Sequence, residues 1–292
     1  MIDYLIGVDG GGTKTRVRLA RPDGSALAEA TGGPSALRHG VEHAWSVVNG
    51  AVRQAFAAIG VDAIPMASCA IGLGLAGVHN KDWAAAFRLA NPGYRACLLD
   101  TDAFTTLMGA HGGRPGAIVA IGTGSVGEAM LPDGRRIEVG GWGFLAGDEA
   151  SGAWMGLRAL NHIQHVLDGR ADGGAFARDV IDACGGDRDA IQIWLGKASQ
   201  TDYASLARFV VRHGPSDACA AAILQHAGRE AADIAHALDP HGALPLSLCG
   251  GLGETLRLYL PAATLARCSP AHGDSAHGAL HMIASHLKEH HA

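Results

Sequence analysis

The residues with the clearest chemical potential form a short run near the start of the chain, Asp9-Gly10-Gly11-Gly12-Thr13. Glycines let backbone N–H groups approach a ligand closely, and successive N–H groups in a turn form a concave anion site. The carboxylate of Asp9 could hold a cation beside it. A phosphate carried with Mg²⁺ fits both features. A bare hairpin turn needs only about two special residues, so three glycines and a flanking carboxylate favour a ligand site over a simple turn.

The residues on either side of this run predict strands. A short apolar stretch, residues 5–8, precedes Asp9, and Val17 and Leu19 alternate with arginines after the turn. Such alternation is typical of a strand with one buried face. A P-loop would require Gly-Lys-Ser/Thr followed by a helix, so the sequence predicts a phosphate-binding hairpin instead. We call residues 10–13 the first glycine turn.

The same pattern returns in the second half of the chain. The apolar run 117–121 leads into Gly122-Thr123-Gly124-Ser125, and a Pro-Asp-Gly turn follows ten residues after Gly122, as one does after Gly12. This repetition indicates an internal duplication. The sequence also matches GxGxxG, but the Pro-Asp-Gly turn leaves no room for the helix of a dinucleotide-binding fold. We therefore interpret residues 122–124 as a second phosphate hairpin and call them the second glycine turn.

Two further segments could carry chemistry. The run 140–149 is rich in glycine and ends in Asp148 and Glu149, and Gly250-Gly251 forms a third glycine turn after a short strand. Strands that alternate with helices predict a largely parallel α/β fold. The alanine-rich stretch 172–238 predicts several helices, which could form either core or a subunit contact.

The composition limits the class of protein. The length of 292 residues suggests about two domains, and the apolar fraction of 48% is enough for substantial cores. A net charge of −5 without a basic run argues against a nucleic-acid partner. No signal peptide and no apolar run of membrane-spanning length is visible, so we expect a cytoplasmic protein without a membrane partner. The six scattered cysteines predict reduced thiols. Histidine pairs near the end predict a solvated helix more readily than a metal site.

Taken in order, the motifs resemble the N-acetylglucosamine kinase family within the BadF/BadG/BcrA/BcrD ATPase group. The segments that carry the resemblance are Asp-Gly-Gly-Gly-Thr at 9–13, Gly-Thr-Gly-Ser at 122–125, Gly-Gly-Trp-Gly at 140–143, Gly-Asp-Glu at 147–149 and Gly-Gly at 250–251. The resemblance implies duplicated actin-like (ribonuclease H-like) α/β ATPase domains with a ligand cleft between them. It also implies ATP and Mg²⁺ as cofactors, and phosphorylation of an amino sugar, at the 6-hydroxyl of N-acetylglucosamine or glucosamine. A homodimer is a further expectation from the resemblance.

The predicted domains are an N-terminal α/β domain (1–112), a C-terminal α/β domain (113–275) with a helical insertion (about 172–238), and a C-terminal helix (276–292) that packs back on the N-terminal domain. By resemblance, Asp102 at the end of a strand is the general base and Asp9 positions Mg²⁺ through water. The predicted ATP-binding residues are Gly10, Gly11, Gly12, Thr13, Gly122, Thr123, Gly124, Gly250 and Gly251. The predicted sugar-binding residues are Ser125, Gly141, Trp142, Gly143 and Asp148.

Some alternatives remain open at this point. Asp102 could be a helix N-cap, and Asp148 and Glu149 could be first-turn charges of a helix. Ala36 stands where the family commonly has a sugar-binding Asn, so another hexose could be the substrate. Other functions are an ATPase activator of an iron–sulfur CoA dehydratase or reductase, for which the cysteines are too dispersed, and a nucleotide-dependent switch that transfers nothing.

Overall fold

The computed structural model describes residues 1–291, with side chains through Glu289. Ala292, the last residue of the predicted C-terminal helix, lies outside the described residues. The chain divides into two compact units, an N-terminal unit formed by Met1–Gly116 with Pro270–Ala292, and a C-terminal unit formed by Ala117–Ser269. Each unit is built on one β-sheet.

The first part of the chain forms a five-stranded sheet and three helices. In chain order the elements are β1 (Tyr4–Gly10), β2 (Thr15–Ala20), β3 (Ala26–Gly32), α1 (Val41–Ala57), β4 (Cys69–Leu75), α2 (Lys81–Leu89), β5 (Ala96–Asp100) and α3 (Asp102–His111). The strand order is β3-β2-β1-β4-β5. β2 and β3 form an antiparallel meander with β1, while β4 and β5 run parallel to it. The carboxyl ends of β1, β4 and β5 therefore meet at one edge of the sheet.

The remaining elements complete the C-terminal unit and then return to the N-terminal one. They are β6 (Gly116–Ile121), β7 (Ser125–Met130), β8 (Arg136–Gly140), α4 (Gly152–Leu167), α5 (Ala175–Ala183), α6 (Arg188–Leu195), α7 (Gln200–Ser205), α8 (Ala207–His213), α9 (Ala218–Leu238), β9 (Leu246–Cys249), α10 (Gly253–Arg257), α11 (Ala262–Arg267) and α12 (Ser275–His291). The second sheet has the order β8-β7-β6-β9, with β9 parallel to β6.

The two sheets repeat one design. In each, a strand, a glycine turn, a second strand, a Pro-Asp-Gly turn and a third strand form a meander, and a later strand pairs in parallel with the first. A parallel bridge between Leu246 and Cys268 extends the second sheet at the position that β5 occupies in the first. The duplication predicted from the sequence is thus confirmed.

Apolar periodicity accounts for the cores. The predicted helical stripe of α1 buries Trp45, Val48, Val52 and Phe56 beneath the first sheet. In the C-terminal unit the helices of the alanine-rich stretch bury their apolar faces in the core that covers the second sheet. These helices therefore contribute core packing to their own unit. Among residues 1–291, no helix is both long and apolar enough to cross a membrane.

The last helix packs unusually close to its neighbours because glycines line the contact. A β-carbon on Gly278 of α12 would lie 1.7 Å from the carbonyl oxygen of Thr105 in α3, and one on Gly72 of β4 would lie 2.2 Å from the carbonyl oxygen of Ala279. Only glycine permits such an approach. α12 is thereby held against α3 and the centre of the first sheet, with its first turn beside the carboxyl end of β1.

Some predicted element ends are wrong by a few residues. The sequence after the third glycine turn predicts a helix over 254–260, and the structure has one over Gly253–Arg257. The sequence also predicts a strand over about 25–31, and the structure has β3 over Ala26–Gly32. Other boundaries follow the capping residues closely, since Asn80 caps α2 and Asp217 caps α9 with their side chains.

Candidate functional site

The first glycine turn presents backbone amides that the protein itself does not use. The Gly11 amide donates to the Lys14 carbonyl oxygen over 3.0 Å, whereas the amides of Gly12 and Thr13 have no acceptor among the described residues. Gly12 and Thr13 are both exposed. Two adjacent free N–H groups in a turn attract an anion.

Hydrogen bonds from the segment that follows β3 hold the first glycine turn in place. The Gly11 carbonyl oxygen accepts from the amides of Ser35 and Ala36 over 3.1 and 3.2 Å. The buried Thr15 hydroxyl contacts the Gly33 carbonyl oxygen and the Ser35 hydroxyl, each over 2.7 Å. A β-carbon on Gly10 would lie 2.2 Å from the Ser35 hydroxyl oxygen, so only glycine fits there.

Asp9 lies at the end of β1, next to the first glycine turn. Burial raises the pKa of the Asp9 carboxyl group, and the negative charges of Asp102 and Asp274 add to this effect. A hydrogen bond from Ser275 and the charge of Arg16 act in the opposite direction. Burial and the two neighbouring carboxylates together outweigh these opposing effects.

Asp102 is the first residue of α3, at the carboxyl edge of the sheet. The helix is capped by Thr101, whose hydroxyl accepts from the Phe104 amide over 3.0 Å, so the interpretation of Asp102 as the N-cap is wrong. The carboxylate of Asp102 accepts from the Ala103 amide over 3.1 Å. Burial raises its pKa, and the charge of His79 partly opposes that rise. A carboxylate of raised pKa suits a general base.

A hydroxyl network connects the Asp9 carboxylate to the backbone at the start of the helix that carries Asp102. The Ser275 hydroxyl lies 2.8 Å from the hydroxyl of Thr105, which donates to the carbonyl oxygens of Thr101 and Asp102, each over 3.2 Å. Ser275 also hydrogen-bonds Asp9. Both hydroxyl residues are buried. The first turn of α12 therefore fixes Asp9 relative to the helix that carries Asp102.

Asp274 anchors the start of α12 to β2. Its carboxylate accepts from Arg18 over 2.9 and 3.2 Å and also pairs with Arg16. It caps the helix by accepting from the His277 amide over 3.0 Å. Sequence reasoning missed Ser275, Asp274 and Arg16 as site residues. These residues have partners far apart in the chain, and such contacts leave no mark in local periodicity.

The second glycine turn repeats the geometry of the first in the C-terminal unit. The Gly122 amide donates to the Gly124 carbonyl oxygen over 2.9 Å, while the amides of Thr123 and Gly124 have no acceptor in the described part of the chain. The Gly122 carbonyl oxygen accepts from the Gly152 amide over 2.8 Å, which ties the turn to the start of α4. It is a second candidate phosphate site.

The third glycine turn lies against the strand that leads into the second. Gly250 has a φ of +81°, and a β-carbon there would lie 2.3 Å from the Ile121 carbonyl oxygen. That oxygen accepts from the Leu252 amide over 3.0 Å. Gly251 is exposed with open space around it. In the C-terminal unit, Gly250, one of the predicted ATP-binding residues, thus lies next to the second glycine turn.

Asp148 is turned inward toward the second glycine turn. It is 5% exposed and has a left-handed φ of +58°. Its carboxylate accepts from the Gln200 side chain over 2.7 Å and from the Ser125 amide over 3.4 Å, with a further bond from the Gly143 amide. Burial raises its pKa, and these bonds oppose the rise. Gln200, a site residue that the sequence did not reveal, connects α7 to this cluster.

Two other predicted sugar-binding residues, Ser125 and Gly143, contact Asp148 through their backbone amides. The Ser125 hydroxyl donates to the Glu149 carbonyl oxygen over 2.5 Å. Ser151 caps α4, and no acidic residue lies in the first turn of that helix. The interpretation of Asp148 and Glu149 as first-turn charges is therefore wrong.

Trp142 belongs to no core. Its side chain is 82% exposed, and its neighbours Gly141 and Gly143 have φ values of +71° and +83°. The tight glycine backbone on both sides presents the indole at the surface of the C-terminal unit. An exposed indole of this kind offers a flat apolar surface to a ligand.

The residues near Asp9 fit a Mg²⁺ ion that is bound mostly by phosphate and water. No group of three or more His, Cys, Asp or Glu side chains among the described residues could hold a metal alone. Mg²⁺ commonly binds through one or two carboxylates together with substrate phosphates and waters. Burial is the main cause of the raised pKa of Asp9, and a cation would offset the negative charges of Asp102 and Asp274 that add to it.

Known proteins resemble this chain over nearly its whole length. The BadF/BadG/BcrA/BcrD ATPase family matches residues 6–255. A glucosamine kinase from Vibrio cholerae is 33% identical over 261 residues, which cover 89% of this chain and 88% of that protein. An N-acetylmuramic acid/N-acetylglucosamine kinase from Clostridium acetobutylicum is 29% identical over 236 residues, 78% of this chain and 76% of that protein.

Solved structures agree with these sequence matches. A candidate N-acetylglucosamine kinase from Chromobacterium violaceum has a TM-score of 0.94 and 50% identity, covering 97% of this chain and 99% of that one. A ROK hexokinase from Thermus thermophilus, 18% identical with a TM-score of 0.53 over 98% of this chain and 99% of its own, shares the fold alone. The predicted actin-like α/β fold and the predicted family resemblance are confirmed.

Proposed function

The chain belongs to the BadF/BadG/BcrA/BcrD ATPase family, and on that premise we propose that it is an ATP-dependent amino-sugar kinase. It transfers the γ-phosphoryl group of ATP to a hydroxyl of glucosamine or N-acetylglucosamine, at the 6-position. The relative from V. cholerae is named a glucosamine kinase and the one from C. acetobutylicum an N-acetylmuramic acid/N-acetylglucosamine kinase. Those names support an amino sugar as the acceptor of the phosphoryl group.

The observation that carries the proposal is the Asp102 carboxylate at the carboxyl edge of the first sheet. Thr101 performs the capping role, so the Asp102 side chain is not required for the helix start. Its pKa is raised by burial, and it pairs with no Arg or Lys among the described residues. Phosphoryl transfer needs an aligned hydroxyl and an acceptor for its proton. Asp102 provides that acceptor.

The glycine turns supply the phosphate-binding groups. The free amides of Gly12 and Thr13 hydrogen-bond the terminal phosphates, and the Thr13 hydroxyl donates to them as well. The amides of Thr123 and Gly124 contribute a second set of donors, and Gly250 and Gly251 pack against adenosine. Mg²⁺, when bound, neutralises phosphate charge. Asp9, oriented by Ser275, would hold Mg²⁺ through water, as the family resemblance implies.

The sugar-binding residues belong to the C-terminal cluster around Asp148. Gln200 and the Ser125 amide hold the Asp148 carboxylate in one orientation. The exposed indole of Trp142 packs against the apolar face of the sugar ring. Ala36, which is 3% exposed, offers only a buried methyl group, so it adds no hydrogen bond to a hydroxyl or acetamido group. The selection among amino sugars and other hexoses is therefore assigned to the residues around Asp148. Dimerisation stays a prediction.

A coupled ADP-release assay tests the proposal. The purified protein is supplied with Mg-ATP and, in turn, glucosamine, N-acetylglucosamine, N-acetylmannosamine and glucose. We expect sugar-dependent ADP release with one of the first two, and a loss of about 10²–10⁴-fold in the Asp102→Asn variant, as for removal of a general base. ADP release that does not depend on any sugar would contradict the kinase function and favour one of the two alternatives, the ATPase activator or the nucleotide-dependent switch.

The cysteines do not favour the iron–sulfur activator. Burial raises the pKa of Cys69 to about 12 and that of Cys97 to about 11. Burial likewise raises the pKa of Cys249 to about 12. Cluster ligation also requires cysteines that lie close together, whereas the six free cysteines here are scattered along the chain. Iron analysis of anaerobically purified protein would separate the two functions.

A further inference from the structure

Arg38 places an exposed guanidinium group at the first glycine turn. Its Nη2 atom lies 3.0 Å, and its Cζ atom 3.7 Å, from the point that a β-carbon on Gly12 would occupy. The glycine leaves this space open for the guanidinium group. The free amides of Gly12 and Thr13 and the cationic group therefore lie side by side.

The backbone that carries Arg38 is fixed to the turn. The amides of Ser35 and Ala36 donate to the Gly11 carbonyl oxygen over 3.1 and 3.2 Å, and the amide of Leu37 donates to Ala76 over 2.9 Å. Leu37 is fully buried at 1% exposure. Arg38 thus extends from an anchored segment, and only its side chain has freedom to move.

The charge of Arg38 is not used by the protein. No carboxylate pairs with it among the described residues, and its guanidinium contacts only the His39 ring nitrogen, over 3.5 Å. Arg16 and Arg18 in the same unit are, by contrast, both paired with Asp274. An unpaired cation beside free amides is arranged to meet an anion that the chain itself does not provide.

The same segment also borders the loop between β4 and α2. A β-carbon on Gly77 would lie 3.4 Å from the β-carbon of Leu37. His79, two residues later, is near enough to influence the charge of Asp102. Arg38 therefore borders the first glycine turn and directly follows a residue that contacts this loop.

We propose that Arg38 binds the terminal phosphoryl group of the nucleotide and neutralises its charge during transfer; this inference rests on the proposed kinase function. In that step the acceptor oxygen forms a bond to the γ-phosphorus, the bond from phosphorus to the ADP oxygen breaks, and the hydroxyl proton passes to Asp102. Arginine suits this task because its planar guanidinium can bind two phosphate oxygens at once. An acidic group on the acceptor sugar would offer the same chemistry, so the test must distinguish the two anions.

Two measurements on Arg38→Met and Arg38→Lys test the assignment. Calorimetry compares the Kd of Mg-ADP with that of a non-hydrolysable Mg-ATP analogue, which differ by the terminal phosphate. We expect Arg38→Met to weaken the analogue about 10- to 100-fold, as for loss of a hydrogen bond to a charged group, while ADP changes little. Kinetics should show a lower kcat, an unchanged KM for the sugar, and partial rescue by Arg38→Lys.

Arg53→Met is the matched control. Arg53 is also exposed, lies in the same unit on α1, and its replacement removes the same charge. It should leave both affinities and kcat unchanged. An unaltered ratio of analogue to ADP affinity in Arg38→Met would overturn the proposal, and a rise confined to the KM of the sugar would assign Arg38 to the acceptor instead. If the wild-type protein phosphorylates no sugar, the kinase function fails, yet the two nucleotide affinities still decide the role of Arg38.

Discussion

Replacing Gly278 by alanine tests how closely α12 must pack. The added β-carbon would lie 1.7 Å from the Thr105 carbonyl oxygen and 2.5 Å from the Gly109 amide nitrogen. Both are backbone atoms of α3, so neither can rotate away as a flexible side chain would. The helices must separate, which moves the first turn of α12, with Ser275, away from Asp9.

The magnitude follows from two opposing terms. Alanine in place of glycine favours a helix by up to about 1 kcal/mol. Overpacking a close contact costs about 1–3 kcal/mol, and a contact with backbone belongs at the upper end of that range. We therefore expect a net loss of about 2 kcal/mol, which corresponds to a fall in Tm of about 4–8 °C for a unit of this size.

Gly50→Ala provides the matched control within the same unit. Gly50 also lies in a helix, α1, but a β-carbon there would have nothing within 4 Å. The Gly50→Ala substitution should therefore gain only the higher helix propensity of alanine, which would raise Tm by about 1–4 °C. Scanning calorimetry measures both variants. If Gly278→Ala proved as stable as Gly50→Ala, the packing of α12 on α3 described above would be wrong.

Two further predictions concern the partly buried charge of Asp274 and the buried charge of Asp102. Burial would raise the pKa of Asp274, but hydrogen bonds from Arg18 and Arg16 outweigh it and lower that pKa. Asp274→Asn should therefore lower the free energy of unfolding, measured with urea, by about 1–3 kcal/mol at pH 7. This loss should shrink below about pH 4, as the wild-type carboxylate is protonated. An equal loss at all pH values would argue against the pairing. For Asp102 the raised pKa means that its buried charge destabilises the fold, so Asp102→Asn should have a higher Tm than wild type at neutral pH, with the difference vanishing as pH falls toward the ordinary value of 3.8. A lower Tm at neutral pH would contradict a costly buried carboxylate.

Local sequence patterns were sufficient to predict the architecture. Alternation on both sides of two glycine turns, together with the two Pro-Asp-Gly turns, predicted the repeated meander that the sheets contain. Capping residues located helix starts, as Asn80 does for α2 and Asp217 for α9. These features depend on residues a few positions apart, so a single sequence contains them.

The supporting contacts of the site could not be predicted in this way. Ser275 contacts Asp9 and Thr105 only because α12 returns to the first sheet. Gln200 contacts Asp148 only because α7 packs beside the glycine-rich run 140–149. Hydroxyl and amide side chains of this kind look like ordinary polar residues in sequence. Arg38 was missed for the same reason, since its proximity to Gly12 arises from the fold of the segment after β3.

The most direct test of the account identifies the product of the reaction. Phosphorus NMR is recorded on mixtures of the protein, Mg-ATP and glucosamine or N-acetylglucosamine, with wild type and Asp102→Asn in parallel. We predict a sugar 6-phosphate signal that grows in step with ADP for the wild type and stays at background for the variant. Inorganic phosphate in place of a sugar phosphate, or equal product from Asp102→Asn, would contradict phosphoryl transfer assisted by Asp102.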